Sequence, residues 1–88
     1  MEPFSEIRKK HPNKFLLLLD YEETFPSPNE REVTGAEEVQ SFDTFESMYA
    51  RYKELKIRGE RVIFCTPEQY SDRFVMEVRP FMGKLASR

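Results

Sequence analysis

Asp20, Glu22, Glu23 and Thr24 stand directly behind five consecutive apolar residues, Phe15–Leu19, in the stretch KFLLLLDYEET. Carboxylates delivered to the end of a buried strand suit two kinds of chemistry. They can bind a hard cation such as magnesium, or act on a phosphate held nearby, because open α/β sheets place their sites at strand ends. The second apolar run, Val62–Cys65, ends in Thr66 followed by Pro67. A hydroxyl there, at the start of a helix, would meet an anion. Asp20, Thr24 and Thr66 are therefore the candidate phosphate ligands, and Asp20, Glu22 and Glu23 the candidate metal ligands. Three adjacent acids on an extended chain point in alternating directions, so two converge more easily than three.

Other reactive residues are sparse. His11 is the single histidine and stands beside Pro12 in a basic turn, as a surface residue would. Cys65 is the single cysteine and lies inside an apolar run, where a free thiol behaves as a small hydrophobe. One His and one Cys without an evident partner give no nucleophilic pair. The glycines Gly35, Gly59 and Gly83 are scattered and form no phosphate-cradling loop. These residues predict no catalytic centre and call for no cofactor.

Charge is distributed unevenly. Residues 20–46 contain nine acids against one base, Arg31, while the rest of the chain has thirteen bases against seven acids. Such asymmetry steers partners. It makes Glu32, Glu37 and Glu38 the candidate partner-binding residues on an acidic face. The basic cluster Arg8, Lys9, Lys10 and Lys14 is an alternative, nucleic-acid-binding surface. The pI near 5.5 and aromatics that fall on core stripes weigh against it.

The elements that must position these groups follow from periodicity and punctuation. Phe4 and Ile7 share a face of a short N-terminal helix within residues 1–12, which His11-Pro12 stops. Residues 15–21 predict a central strand buried on both faces. The prolines of EETFPSPNER predict a loop over 22–31. A polar second strand falls within 32–41, with a bulge at Gly35 and the character of an edge. Asp43 as N-cap with Glu46 three residues on predicts a helix over 44–58, striped by Phe45, Met48, Tyr49, Tyr52 and Leu55 and closed by Arg58-Gly59. Residues 60–66 predict a strand. Thr66-Pro67 with Gln69 then favours a C-terminal helix over 67–79; the competing reading is a strand from Arg73 to Arg79, where Phe74, Met76 and Val78 alternate. Residues 83–88 form a frayed tail.

FLLLLDYEET resembles the first motif of haloacid-dehalogenase-type phosphatases, an apolar strand followed by Asp-x-Asp-x-Thr. VIFCT resembles that family's second motif, an apolar strand ending in Ser or Thr. The resemblance covers some 30 residues and implies that Asp20 and Thr24 match the family's Asp and Thr, with Thr66 as the phosphate-binding hydroxyl. The sequence departs from the pattern where Glu22 replaces the second Asp. It also lacks a later strand-borne acidic motif, and its only downstream lysine is Lys84.

The expected architecture is a single α/β or α+β domain of two or three layers with about three strands. The single free thiol points to an intracellular, cytoplasmic protein. The N-terminus has no apolar signal core, and no run approaches the ~20 apolar residues of a membrane span. Size near the limit for a lone core is compatible with a homo-oligomer. The expected function is a non-enzymatic interaction or regulatory module binding another protein. The alternatives are phosphate or magnesium binding at Asp20 and Thr66, and nucleic-acid binding at Arg8–Lys14.

Overall fold

A computed structural model describes residues 1–67 and 73–78. The chain runs β1 (Glu2–Pro3), α1 (Phe4–Lys10), β2 (Phe15–Ser27), β3 (Glu30–Phe42), α2 (Phe45–Ile57), β4 (Val62–Cys65) and β5 (Phe74–Glu77). All pairs among the described strands are antiparallel. β2 lies between β3 and β4, and the far side of β3 pairs with β1 at Gly35 and Ala36 and with β5 at Glu30–Val33. The fold is α+β, with five strands among the described residues rather than about three. No helix among the described residues is long and apolar enough to cross a membrane.

β2 is buried on both faces, as its apolar run requires. Leu16 and Leu18 pack with Phe4, Ile7, Val33, Ala36, Cys65 and Phe74 beneath α1. Leu17 and Leu19 pack with Met48, Leu55 and Val62 beneath α2. The alternation of a strand thus feeds two cores, one per face, and burying each leucine contributes roughly 1.5–3 kcal/mol.

Several expectations are corrected. Residues 22–31 are not a loop: β2 continues to Ser27 and turns at Pro28-Asn29. Pairing jumps from Thr24↔Glu32 to Ser27↔Glu30, so Phe25 and Pro26 sit in a bulge where proline's missing N–H breaks no ladder. β3 is no edge, because it is paired on both sides. Its bulge falls at Thr34, beside the expected Gly35, where Glu22↔Gly35 gives way to Glu23↔Val33. Gly35 has a different role: a Cβ there would lie 2.6 Å from the Glu2 carbonyl oxygen.

The N-cap of α2 is Thr44, not Asp43. Thr44 is extended (φ −129°, ψ 155°) and its Oγ1 accepts from the Ser47 amide at 3.2 Å, while Asp43 pairs with Lys14. Two adjacent residues were competent caps, and the lysine claimed one of them. The C-terminus is as the sequence predicts. Gly59 adopts φ +83°, with Gly59 N–H donating to Lys56 O and Glu60 N–H to Leu55 O, the two bonds of a Schellman motif.

The expected C-terminal helix is contradicted over 74–77, which form β5. Phe74 and Met76 enter the α1-side core, so the two-residue period overrides the cap signal. Residues 68–72 and 79, with the tail 83–88, lie outside the described residues.

Candidate functional site

Asp20 and Thr66 do not share a site. β2 and β4 are antiparallel, with Leu16 opposite Cys65 and Leu19 opposite Val62. Thr66 therefore continues past Cys65 towards the Phe15 end, while Asp20 follows Leu19 at the other end. Five residues of strand separate their levels, about 17 Å at 3.4 Å per residue. Thr24 is a further four residues along β2, opposite Glu32. The phosphatase-like motifs need parallel neighbouring strands that bring both strand ends to one edge, and this sheet sends them to opposite ends. Asp20 itself is exposed in the left-handed region at φ +49°, which an aspartate tolerates. Its amide donates to the Arg61 carbonyl at 2.8 Å.

The acids behind Asp20 are placed separately. Glu23 is half-buried between Arg31 at 2.7 Å and Arg61 at 3.3 Å. Arg61 also lies 4.0 Å from the centre of the Tyr21 ring and donates to the Tyr21 carbonyl. Glu22 is exposed, and its carbonyl accepts from Thr34. No three His, Cys, Asp or Glu side chains among the described residues are grouped to hold a metal ion. Of the expected acidic face, Glu32 is held bidentately by Arg73 at 2.8 and 3.1 Å. The Arg73 hydrogen bonds hold its carboxyl below the usual glutamate value. Glu37 and Glu38 are exposed, with Glu38 accepting from Gln40.

The basic cluster is largely engaged. Lys9 pairs with Glu6 at 3.8 Å, Lys10 with Glu2 at 2.6 Å, and Lys14 with Asp43. The Glu2 hydrogen bond raises the Lys10 pKa. Arg8 is buried, and its guanidinium has no carboxylate partner among the described residues. It donates instead to the carbonyls of His11 and Lys14 at 3.3 Å, to the Thr66 carbonyl at 3.0 Å and to Cys65 Sγ at 2.9 Å. Arg8 is thus a staple joining α1 and the following turn to the end of β4. Burial pushes the Cys65 thiol up, with Arg8 opposing that shift.

A surface not engaged by these contacts lies beside β4, where Val62 and Cys65 are buried and Ile63 and Phe64 half-buried. Val62–Cys65 pair with β2 along one edge, and no described strand pairs with the other. Above that edge, Phe45 and Tyr49 of α2 are 41% and 39% exposed. Their rings stack at 5.4 Å, and Tyr49 stacks on Tyr52 at 5.8 Å. Phe64 of β4 meets Phe45, Tyr49 and Tyr52 edge-on. Lys53 Nζ lies 5.2 Å from the Tyr49 ring centre and Lys56 Nζ 5.9 Å from that of Tyr52. Sequence reasoning assigned Phe45 and Tyr49 to the buried stripe. The signal it passed over is angular: Met48 and Leu55, seven apart, define the core line, and Phe45 and Tyr49 fall to one side of it.

No family model, curated protein or solved structure matches this chain.

Proposed function

We propose that this chain is a non-enzymatic protein-interaction module, and that its binding surface is the Phe45–Tyr49 strip of α2 together with the edge of β4 that no described strand pairs. One observation carries the reading: a line of exposed, mutually stacked aromatics stands beside an edge of β4 that no described strand pairs. An open edge offers backbone hydrogen bonds to an added strand, and the pockets beside it read alternate side chains. Aromatic residues with two rotatable bonds supply contact area at small entropic cost. Lys53 and Lys56 on the same flank favour a partner segment bearing carboxylates. Glu37 and Glu38 remain an exposed acidic pair for a second contact. The free Cys65 supports a reducing, cytoplasmic setting.

A peptide fits this surface better than a nucleic acid does. The Tyr49 ring is already flanked by near-parallel rings of Phe45 and Tyr52 and by the Lys53 ammonium. Base stacking needs a free aromatic face.

Selection of a random peptide library displayed on phage tests the reading. Enriched peptides should alternate apolar residues, carry acids, and lose binding to the Phe45→Ser/Tyr49→Ser variant while retaining it to Glu37→Lys/Glu38→Lys. Enriched peptides that bind the aromatic double variant as well as the original protein would overturn it.

A further inference from the structure

The aromatic flank of α2 is polarised along its length. We infer that it takes an extended segment of another protein that carries apolar residues at two alternate positions and a carboxylate two residues further on. This inference rests on the interaction reading above and names the partner chemistry for that same strip. At about 100° per residue, Phe45, Tyr49, Tyr52 and Lys56 fall within about 60° of one another, beside the core line of Met48 and Leu55. They form one stripe along the helix, and Phe64 of β4 meets its three rings edge-on. Glu46 and Lys53 share the outer shoulder of that stripe, Glu46 near its Phe45 end and Lys53 near its Lys56 end.

The two ends of the stripe differ in charge. Lys9, Lys10 and Lys14 each pair with a carboxylate. Lys53 and Lys56 are exposed and form no ion pair among the described residues. Their ammoniums stay on the strip, 5.2 Å from the Tyr49 ring centre and 5.9 Å from that of Tyr52. Glu46 is also exposed and without an ion pair among the described residues, next to Phe45. A partner carboxylate is therefore drawn to the Lys53 and Lys56 end and repelled at the Glu46 end. Such complementarity sets orientation and excludes wrong partners.

Spacing then decides the pattern. Tyr49 lies about 6 Å beyond Phe45 along the helix, Lys53 about 12 Å and Lys56 about 16.5 Å, at roughly 1.5 Å per residue. Alternate side chains of an extended segment share one face and lie about 6.8 Å apart. Counted from the Phe45 end, the first meets Phe45 and the second Tyr49. The third, at about 13.6 Å, falls between Lys53 and Lys56, within reach of both flexible ammoniums. Apolar groups suit the first two places, where the Phe45 and Tyr49 rings are exposed, and a carboxylate suits the third. A helix laid on the same flank would rest on α2 alone, since no described strand lies beyond β4 to support its other face.

A random peptide library displayed on phage reads the pattern, with circular dichroism confirming that each variant folds. Enriched peptides should carry two apolar residues at alternate positions and an acid two residues beyond the pair, on one side of it only. Selection against Lys53→Glu/Lys56→Glu should exchange that acid for Lys or Arg and leave the apolar pair in place. An acid-bearing enriched peptide, synthesised and titrated by fluorescence anisotropy, should bind that variant about tenfold more weakly. It should bind Phe25→Ser, which removes an exposed ring elsewhere, as well as the unmodified chain. Acids still enriched against the reversed variant, acids at no fixed distance from the apolar pair, or a helical apolar period would overturn the inference. The interaction reading survives those outcomes if the peptides still need Phe45 and Tyr49; a library that enriches nothing removes both. An unmodified chain that sediments as a dimer, dissociated by Tyr49→Lys, would assign the strip to a second copy and overturn the inference too.

Discussion

Replacing Arg8 by Met keeps the length of the side chain and removes its four donated bonds. Two of these, to the His11 and Lys14 carbonyls, are long at 3.3 Å. Both acceptor residues are half-buried, so water can recover part of each. The bonds to Thr66 O at 3.0 Å and Cys65 Sγ at 2.9 Å lie deeper. Charge-assisted bonds contribute about 1.5–3 kcal/mol each. Against them stands the cost of burying a guanidinium without a carboxylate, several kcal/mol, which Met escapes. The expected net loss is about 2–3 kcal/mol, out of the roughly 4–13 kcal/mol typical of a chain this size. At a urea slope near 1.5 kcal/mol/M the unfolding midpoint should fall by about 1.3–2 M. Arg8→Lys should recover less than half of that, because an ammonium lacks the fork that reaches sulfur and carbonyls together. An unchanged or raised midpoint for Arg8→Met would refute the reasoning: the buried charge would then cost more than its bonds return.

Three further outcomes follow from the same geometry. Gly35→Ala puts a methyl 2.6 Å from the Glu2 carbonyl; it should cost about 1–3 kcal/mol by urea unfolding and accelerate amide exchange at Glu2. Glu32 should titrate below the usual glutamate value by carboxyl NMR, since Arg73 hydrogen-bonds its ionised form. A depressed folded pKa contributes stability that is present above the unfolded value, about 4.3, and lost as pH falls through the folded one; Glu32→Gln should flatten that acid limb. Cys65, fully buried with its thiol pKa pushed up, should react with a disulfide reagent at neutral pH only after denaturant is added.

Much of the fold was legible because some residues admit one environment. Leu16–Leu19 have no polar side, so a doubly covered strand was forced, and Arg58-Gly59 ended α2 where a left-handed residue is needed. The misreadings share a cause, local signals that depend on tertiary context. Pro26 reads as a breaker until a bulge is available to hold it. Thr66-Pro67 reads as a cap until Phe74 and Met76 find the α1-side core on alternate positions. Strand direction was the decisive unknown for the site. The apolar runs ending in Asp20 and Thr66 look alike whether parallel or antiparallel, and only the antiparallel ladder separates the two residues. The exposed aromatics escaped notice because Phe45 and Tyr49 are as apolar as the core residues beside them.

Binding at the β4 edge and the Phe45–Tyr49 strip would move the amides of those elements. Backbone amide shifts measured while a selected edge-binding peptide is titrated into the labelled protein test it most directly. The largest changes are expected at Val62–Cys65 and at Phe45, Tyr49 and Lys53. Changes concentrated instead at Asp20–Thr24 or at Glu37 and Glu38, with β4 silent, would contradict it.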